Sequence, residues 1–356
     1  MSKQKIDENT ILEALKKVND PELGRSIVDL GMVNKISQND GTVQVEIKLT
    51  IAGCPLKHRF QEDVTAALMP LEGIEKVKLS FTEMKPQERS NLTRKMTGQA
   101  TSELFDKTKA KYVIGIASGK GGVGKSTVTV NLAYALKNAG YSVGIIDADV
   151  YGFSIPRMMG VNDIPTVIED VMIPVAKDGI KIISMGFFIN EDQAVLWRGP
   201  LLHKTVVQFL TQVYWDKLDF LLIDLPPGTG DVTLSIAQTV PDAYMLVVTT
   251  PQPAASGVAQ RVADLSTKAN FKLLGVIENM SYFIAPDGSK QFIFGEGGGQ
   301  KLSVKLNQPL LGQIPLETIV REGGDMGKPV SSYGNSEAAK VLNNIAEKII
   351  GKLNGK

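Results

Sequence analysis

Eight consecutive residues, Gly119-Lys120-Gly121-Gly122-Val123-Gly124-Lys125-Ser126, fit the phosphate-binding pattern G-x-x-x-x-G-K-[ST]. Glycines let a backbone turn its N–H groups inward around a polyanion, and a helix starting at the end of the loop adds partial positive charge there. In that arrangement Lys125 reaches the β- and γ-phosphates of ATP, and the Ser126 hydroxyl ligates Mg2+. Two acidic positions suit the same chemistry. Asp224 closes the apolar run 219–223, where a carboxylate holds Mg2+ directly or through water. The segment Pro226-Pro227-Gly228-Thr229-Gly230-Asp231 follows, with glycines able to approach a γ-phosphate. Asp147 and Asp149 stand at the end of the next apolar run after the glycine loop.

Other reactive side chains are scarce. The chain has one cysteine, Cys54, and two histidines, His58 and His203. An intrachain disulfide is excluded, and so is a cysteine-rich zinc or iron–sulfur site within one chain. Cys54 follows Gly53 at the exit of an expected strand and precedes a helix, where the helix N-terminus lowers a thiol pKa; the competing reading is a small buried apolar residue. His58, four residues on, shares a helical face with Cys54. His203 falls in the helix-like stretch 200–214 and reads as structural.

The elements that must position these residues follow from periodicity. The length of 356 residues points to two or three domains. Hydrophobic residues at 43% and charged residues at 22% are the balance of a soluble globular chain. The 39 basic and 38 acidic residues nearly cancel, so no bulk charge draws the chain to nucleic acid or lipid. Residues 9–81 read as a small α+β module. Its helix carries Ile11, Leu12, Leu15 and Val18 behind Asn9 and Thr10 as caps. The turn Asn39-Asp40-Gly41 leads into an alternating strand with Val43, Val45, Ile47 and Leu49 on one face. A helix over 57–69 and a strand over 74–81 complete it. The stretch 82–110 is polar and aperiodic, a linker composition with a short helix near 101–108. From Lys111 the apolar runs 112–117, 142–147, 181–185, 219–224, 243–249 and 272–277 alternate with helix-length segments. That pattern is α/β, a doubly wound and mostly parallel sheet. The expected division is 1–82, a linker over 83–110, and 111–356. The charged N-terminus shows no secretory segment, and no apolar run is of membrane-spanning length. The expected location is cytoplasmic.

Lys120 adds a second lysine inside the glycine loop. In this form the loop resembles the deviant P-loop of the MinD/ParA/ArsA/nitrogenase-iron-protein class, in which this lysine reaches the nucleotide of a facing subunit. The resemblance therefore implies a homodimer. Together with Gly119–Thr127, the segments Ile146-Asp147-Ala148-Asp149-Val150-Tyr151-Gly152, 224–231, Glu278-Asn279-Met280-Ser281-Tyr282-Phe283 and Phe294-Gly295-Glu296-Gly297-Gly298 resemble the Mrp/ApbC iron–sulfur cluster carrier ATPases. That resemblance covers essentially all of 110–356. It implies an ATP hydrolase that binds a labile cluster and passes it to apo iron–sulfur proteins alongside the assembly machinery. It further implies that Gly119 to Thr127 cradle the nucleotide, that Asp149 orients the attacking water, and that Asn279 contacts adenine. Read from the residue alone, Asn279 is a strand-end amide that suits a base edge or forms a turn. The N-terminal module is similar to the PaaD-like domain fused to such carriers, on Asp20-Pro21-Glu22-Leu23-Gly24, 26–33 and 50–56. In that module the cysteine, here Cys54, is thought to be functional.

One part of the family pattern is replaced. Such carriers place C-P-x-C after the Ser-Tyr-Phe segment, whereas this chain reads Ala285-Pro286-Asp287-Gly288. Thiolates make iron–sulfur binding tight, and neither Ala nor Gly offers a donor side chain. Asp287 is expected to form the turn Pro286-Asp287-Gly288. The alternative function is a nucleotide-switched scaffold or positioning ATPase of the MinD/ParA type without a cluster. The lost thiols favour that alternative and the PaaD-like module disfavours it. The amphipathic segment 337–353 is expected to dock on the sheet rather than on a membrane.

Overall fold

A computed structural model of the chain describes residues 6–21, 23–50, 57–85, 87–89, 91–92, 110–149, 152–169, 171–188, 199–227, 233, 236, 239–240, 242–252 and 271–355. The chain divides into two compact units, Met1–Phe105 with Thr166–Ile173, and Asp106–Pro165 with Pro174–Lys356. The expected helix near 101–108 lies outside the described residues.

In the first unit, α1 (Glu8–Leu15) starts two to three residues earlier than the cap reading implies. Asp7 takes the extended N-cap conformation without a side-chain bond, so Asn9 and Thr10 lie inside the helix. Ile11, Ala14 and Leu15 form its buried face. Strands β1 (Val33–Asn39) and β2 (Thr42–Leu49) pair antiparallel around Asp40 (φ 43°) and Gly41 (φ 75°). Two consecutive positive φ values make the turn whose twist matches a hairpin. Val43, Val45, Ile47 and Leu49 are all buried, as their alternation requires. Helix α2 (Lys57–Leu68) buries Phe60, Val64 and Leu68, and β3 (Lys76–Glu83) pairs parallel with β2.

The second unit opens with β4 (Ala110–Ser118), α3 (Lys125–Asn138), β5 (Val143–Asp147) and the single-turn α4 (Ile155–Met158). A short hairpin, β6 (Thr166–Ile168) and β7 (Val171–Ile173), is grouped with the first unit; β8 (Val175–Lys177) and β9 (Ile180–Ser184) come next. Then follow α5 (Gly199–Thr211), β10 (Leu218–Asp224), β11 (Tyr244–Thr249), β12 (Lys272–Glu278), and the hairpin β13 (Phe283–Ile284) and β14 (Lys290–Gln291). The unit ends with α6 (Gly298–Lys305), β15 (Leu310–Gln313), α7 (Thr318–Asp325), α8 (Val330–Tyr333) and α9 (Glu337–Leu353).

The main sheet has the order β15-β12-β11-β4-β10-β5-β9-β8, and only β8 is antiparallel to its neighbour. Alternation along the central strands sends Ile114, Ile116, Ile145 and Leu222 into the core under α3 and α9. Val113, Leu221, Ile223 and Ile146 point to the opposite face and are buried too. A parallel sheet covered on both faces explains why its strands read as unbroken apolar runs. Helix α9 turns Ala338, Leu342, Ile345 and Ile349 inward, with Ser336 accepting a cap bond from the Ala339 N–H. The chain leaves β4 toward β5 on one side and later adds β11 on the other. The carboxyl end of β4 is therefore a topological switch point, where open α/β sheets bind ligands.

Candidate nucleotide site

The glycine loop leaves β4 at Ser118 and enters α3 at Lys125. Gly122 (φ 75°) and Gly124 (φ 77°) occupy the left-handed region, which side-chain-bearing residues enter only at a cost. A Cβ at Gly121 or Gly122 would meet nothing within 4 Å, so the loop surrounds open space. That space is a cavity of about 230 Å3 walled by Ser118, the loop from Gly121 to Thr127, Asp149, Gly152 and Ser154. Gly119 is half-buried and Lys120 exposed, and neither forms part of that wall. The Lys120 Nζ donates to Gln252 Oε1 at 2.6 Å.

Beneath the loop the sheet register brings the acids together. Asp224 ends β10 opposite Asp147, which ends β5, and Asp147 in turn lies opposite Ser184 of β9. Asp224 is fully buried. Its Oδ1 lies 2.8 Å from the Lys125 Nζ and accepts from Thr129 Oγ1 at 2.9 Å; its Oδ2 accepts from Ser126 Oγ at 2.5 Å. Lys125 is buried as well, with Asp149 Oδ2 at 3.9 Å, and its ammonium makes no well-aligned hydrogen bond. Asp147 accepts from Ser184 Oγ at 3.0 Å and from the N–H groups of Asp149 and Ile155, both at 3.3 Å. Burial, and then the negative charge of Asp224, push its carboxyl up from 3.8 to about 8, against the pull of Ser184, Ile155 and Lys125.

A second cavity, of about 340 Å3, shares Thr127, Ser154 and Met158 with the first and runs toward Asn279, Leu316 and Val320. Asn279 leaves β12 and donates its Nδ2 to the Val123 carbonyl at 2.9 Å, tying this cavity to the loop. Of the sequence-derived residues, Gly121, Gly122, Val123, Gly124, Lys125, Ser126, Thr127, Asp149, Asp224 and Asn279 therefore converge on one place. Val150, Tyr151, Gly228 to Asp231 and Cys54 lie outside the described residues. Thr129 and Ser184 were not singled out by sequence, although Thr129 stands one helical turn beyond Ser126, a spacing that puts both hydroxyls on one face.

The residues present fit a nucleotide with Mg2+. A buried ammonium with no aligned hydrogen bond and a glycine cradle open at the Cβ positions suit phosphate oxygens. The Ser126 hydroxyl and Asp224 carboxylate are the hard oxygen donors that Mg2+ takes alongside phosphates and water.

Comparison with known proteins agrees over both units. The NUBPL iron-transfer P-loop NTPase family matches residues 109–350, and the iron-sulfur cluster assembly protein family matches residues 8–81. An iron-sulfur cluster carrier protein of Mycobacterium bovis is 46% identical over 95% of this chain and 91% of its own length. The chain belongs to the iron–sulfur cluster carrier family of P-loop NTPases. Among solved structures, a nucleotide-binding protein of Archaeoglobus fulgidus in complex with ADP is 36% identical over 62% of this chain and 88% of its own, with a TM-score of 0.55. The septum site-determining protein MinD of Pyrococcus horikoshii, complexed with Mg-ADP, is 25% identical over 68% of this chain and 97% of its own, with a TM-score of 0.50. The full-length likeness to a carrier, spanning both units, does not favour the positioning-ATPase alternative.

The segment 285–288, where the resemblance leads to the expectation of C-P-x-C, forms a turn. Ala285 is buried, its N–H bonds the Ser289 carbonyl at 2.9 Å, and its own carbonyl accepts from Gly288 at 2.8 Å. Asp287 Oδ1 accepts from the Ser289 N–H at 2.9 Å and its hydroxyl at 2.6 Å, which holds the carboxyl below its usual range. The side chain closes the turn of the β13–β14 hairpin, as its sequence context suggests. This donor set does not fit an iron–sulfur cluster. Among the described residues no group of three or more His, Cys, Asp or Glu side chains could hold a metal ion, and no helix is long and apolar enough to cross a membrane.

Proposed function

We propose that the chain is an ATP-hydrolysing iron–sulfur cluster carrier that hands clusters to apo-proteins and works in the cytoplasm as a homodimer. The observation that carries the ATPase part of the reading is the buried Lys125–Asp224 pair, with the half-buried Ser126 hydroxyl on Asp224, under an open glycine cradle at the sheet switch point. In this reading Lys125 binds the β- and γ-phosphates, and Ser126 and Asp224 hold Mg2+. When bound, Mg2+ neutralises charge shared between those phosphates. Gly119 to Thr127 supply backbone N–H groups, Asp149 orients the water, and Asn279 meets adenine. Water attacks the γ-phosphorus and the bond to the β-bridging oxygen breaks, giving ADP, phosphate and a proton. The protein contributes position and charge stabilisation rather than covalent chemistry. Lys120 acts on the nucleotide of the facing subunit. The chain is organised as 1–82, a linker over 83–110, and the ATPase over 111–356. Its partners are apo iron–sulfur proteins and the assembly machinery, not nucleic acid or membrane. Cys54 is the one protein thiol able to meet a cluster.

Titration with ATP and a steady-state phosphate assay test the site. Lys125→Ala should weaken ATP binding and abolish turnover. Asp149→Ala should keep ATP binding and lose about 100-fold or more in kcat, the scale of losing a positioned water. In the same assay Lys120→Ala should slow turnover. Unchanged affinity and turnover in Lys125→Ala would refute the assignment.

A further inference from the structure

The second cavity is bounded by two helices far apart in sequence, with Arg157 and Met158 of α4 on one side and Val320, Arg321 and Gly324 of α7 on the other. Their C-terminal ends meet backbone to backbone at two glycines. Gly160 has φ +62° and Gly327 φ +68°, both in the left-handed region. A Cβ on Gly327 would fall 2.5 Å from the Cα and 2.6 Å from the N of Gly160, and a Cβ on Gly160 would fall 3.0 Å from the Gly327 carbonyl oxygen. The obstructing atoms are main chain and cannot rotate aside, so a side chain at 327 must push α4 and α7 apart. Arg157 sits next to this contact, because its carbonyl accepts the Gly160 N–H at 3.1 Å.

The two arginines of the cavity are in different states. Arg321 is held by Asp325 at 2.8 Å and Glu322 at 3.2 Å. Arg157 is exposed on the rim, and its guanidinium has no hydrogen bond or ion pair among the described residues. A planar guanidinium at the mouth of a mostly apolar cavity packs on the face of a base or bonds ribose hydroxyls.

We propose that the Gly160–Gly327 contact sets the width of the nucleoside cavity and that Arg157, held beside it, contacts the nucleoside of bound ATP. This rests on the ATP reading of the site. The glycine loop then binds the polyphosphate, and the α4–α7 clasp adds the affinity that separates a nucleotide from bare polyphosphate.

Calorimetric titration of the full chain with Mg-ATP and with Mg-tripolyphosphate separates the two halves. Gly327→Ala should weaken ATP about tenfold or more and Arg157→Ala about three- to tenfold, the scale of a lost stacking contact. Both should keep wild-type affinity for tripolyphosphate, and Arg157→Lys should recover only part of the loss. Wild-type ATP affinity in Arg157→Ala, or parallel weakening of both ligands by it, overturns the proposal. If Gly327→Ala does not fold, the Arg157 variants decide alone. Wild type binding neither ligand contradicts the P-loop assignment itself, whereas wild type binding both equally well overturns only the clasp.

Discussion

At the scale of single residues, the site is a set of mutually dependent charges. Lys125 and Asp224 are both buried, and each makes the other tolerable, since an unpaired buried charge costs several kcal/mol. Asp147 is the third member. Its carboxyl binds a proton more tightly in the folded chain than in the unfolded one, with a value raised from 3.8 to about 8. Between those values the folded state holds the extra proton, so this group's contribution to stability falls as pH rises and is lost above about pH 8. Asp147→Asn removes the titration. Chemical denaturation without nucleotide or Mg2+ should show wild type losing stability relative to this variant from pH 5 to about pH 8.5; parallel curves across that range would disprove it. These residues differ in how far they can be read from sequence. Gly119 to Ser126 form one contiguous signal, and Asp224 closes a strand-length run. Thr129, Ser184 and Arg157 carry no such mark. Thr129 matters because Asp224 comes to it from a distant strand, and Ser184 because β9 lies beside β5.

At the scale of elements, the runs that became the buried strands β4, β5, β10, β11 and β12 were long enough to stand out. Strands β8 and β15 were not, since three and four residues carry too little periodicity to separate from a loop. The Asn279–Val123 bond joins the end of β12 to the glycine loop and is invisible to any local pattern. Helix α9 shows the reverse case, an amphipathic stripe whose docking was legible. Its Ile345 packs where a Cβ on Gly312 of β15 would come within 2.6 Å, so strand and helix approach closely because that residue is glycine. Ile345→Ala should cost about 2–5 kcal/mol by urea unfolding, with little change in ATP affinity because the residue lines neither cavity. A loss below about 1 kcal/mol would mean that α9 packs more loosely than the buried face implies.

At the scale of the whole molecule, a P-loop ATPase unit carries no thiol in the segment 285–288. Between Tyr282-Phe283 and Phe292 to Gly295, Asp287 ties off a hairpin where the resemblance implies C-P-x-C. A dimer supplies two copies of Cys54 and no other protein thiol. Any four-ligand cluster must therefore draw on carboxylate, imidazole or an external thiol as well. The central claim, a cluster carrier without the C-P-x-C site, is tested most directly by anaerobic reconstitution of the full chain with iron and sulfide, followed by iron and sulfide counting. We predict cluster uptake by wild type, retained in Asp287→Ala and lost in Cys54→Ala; no uptake by wild type would contradict the carrier account.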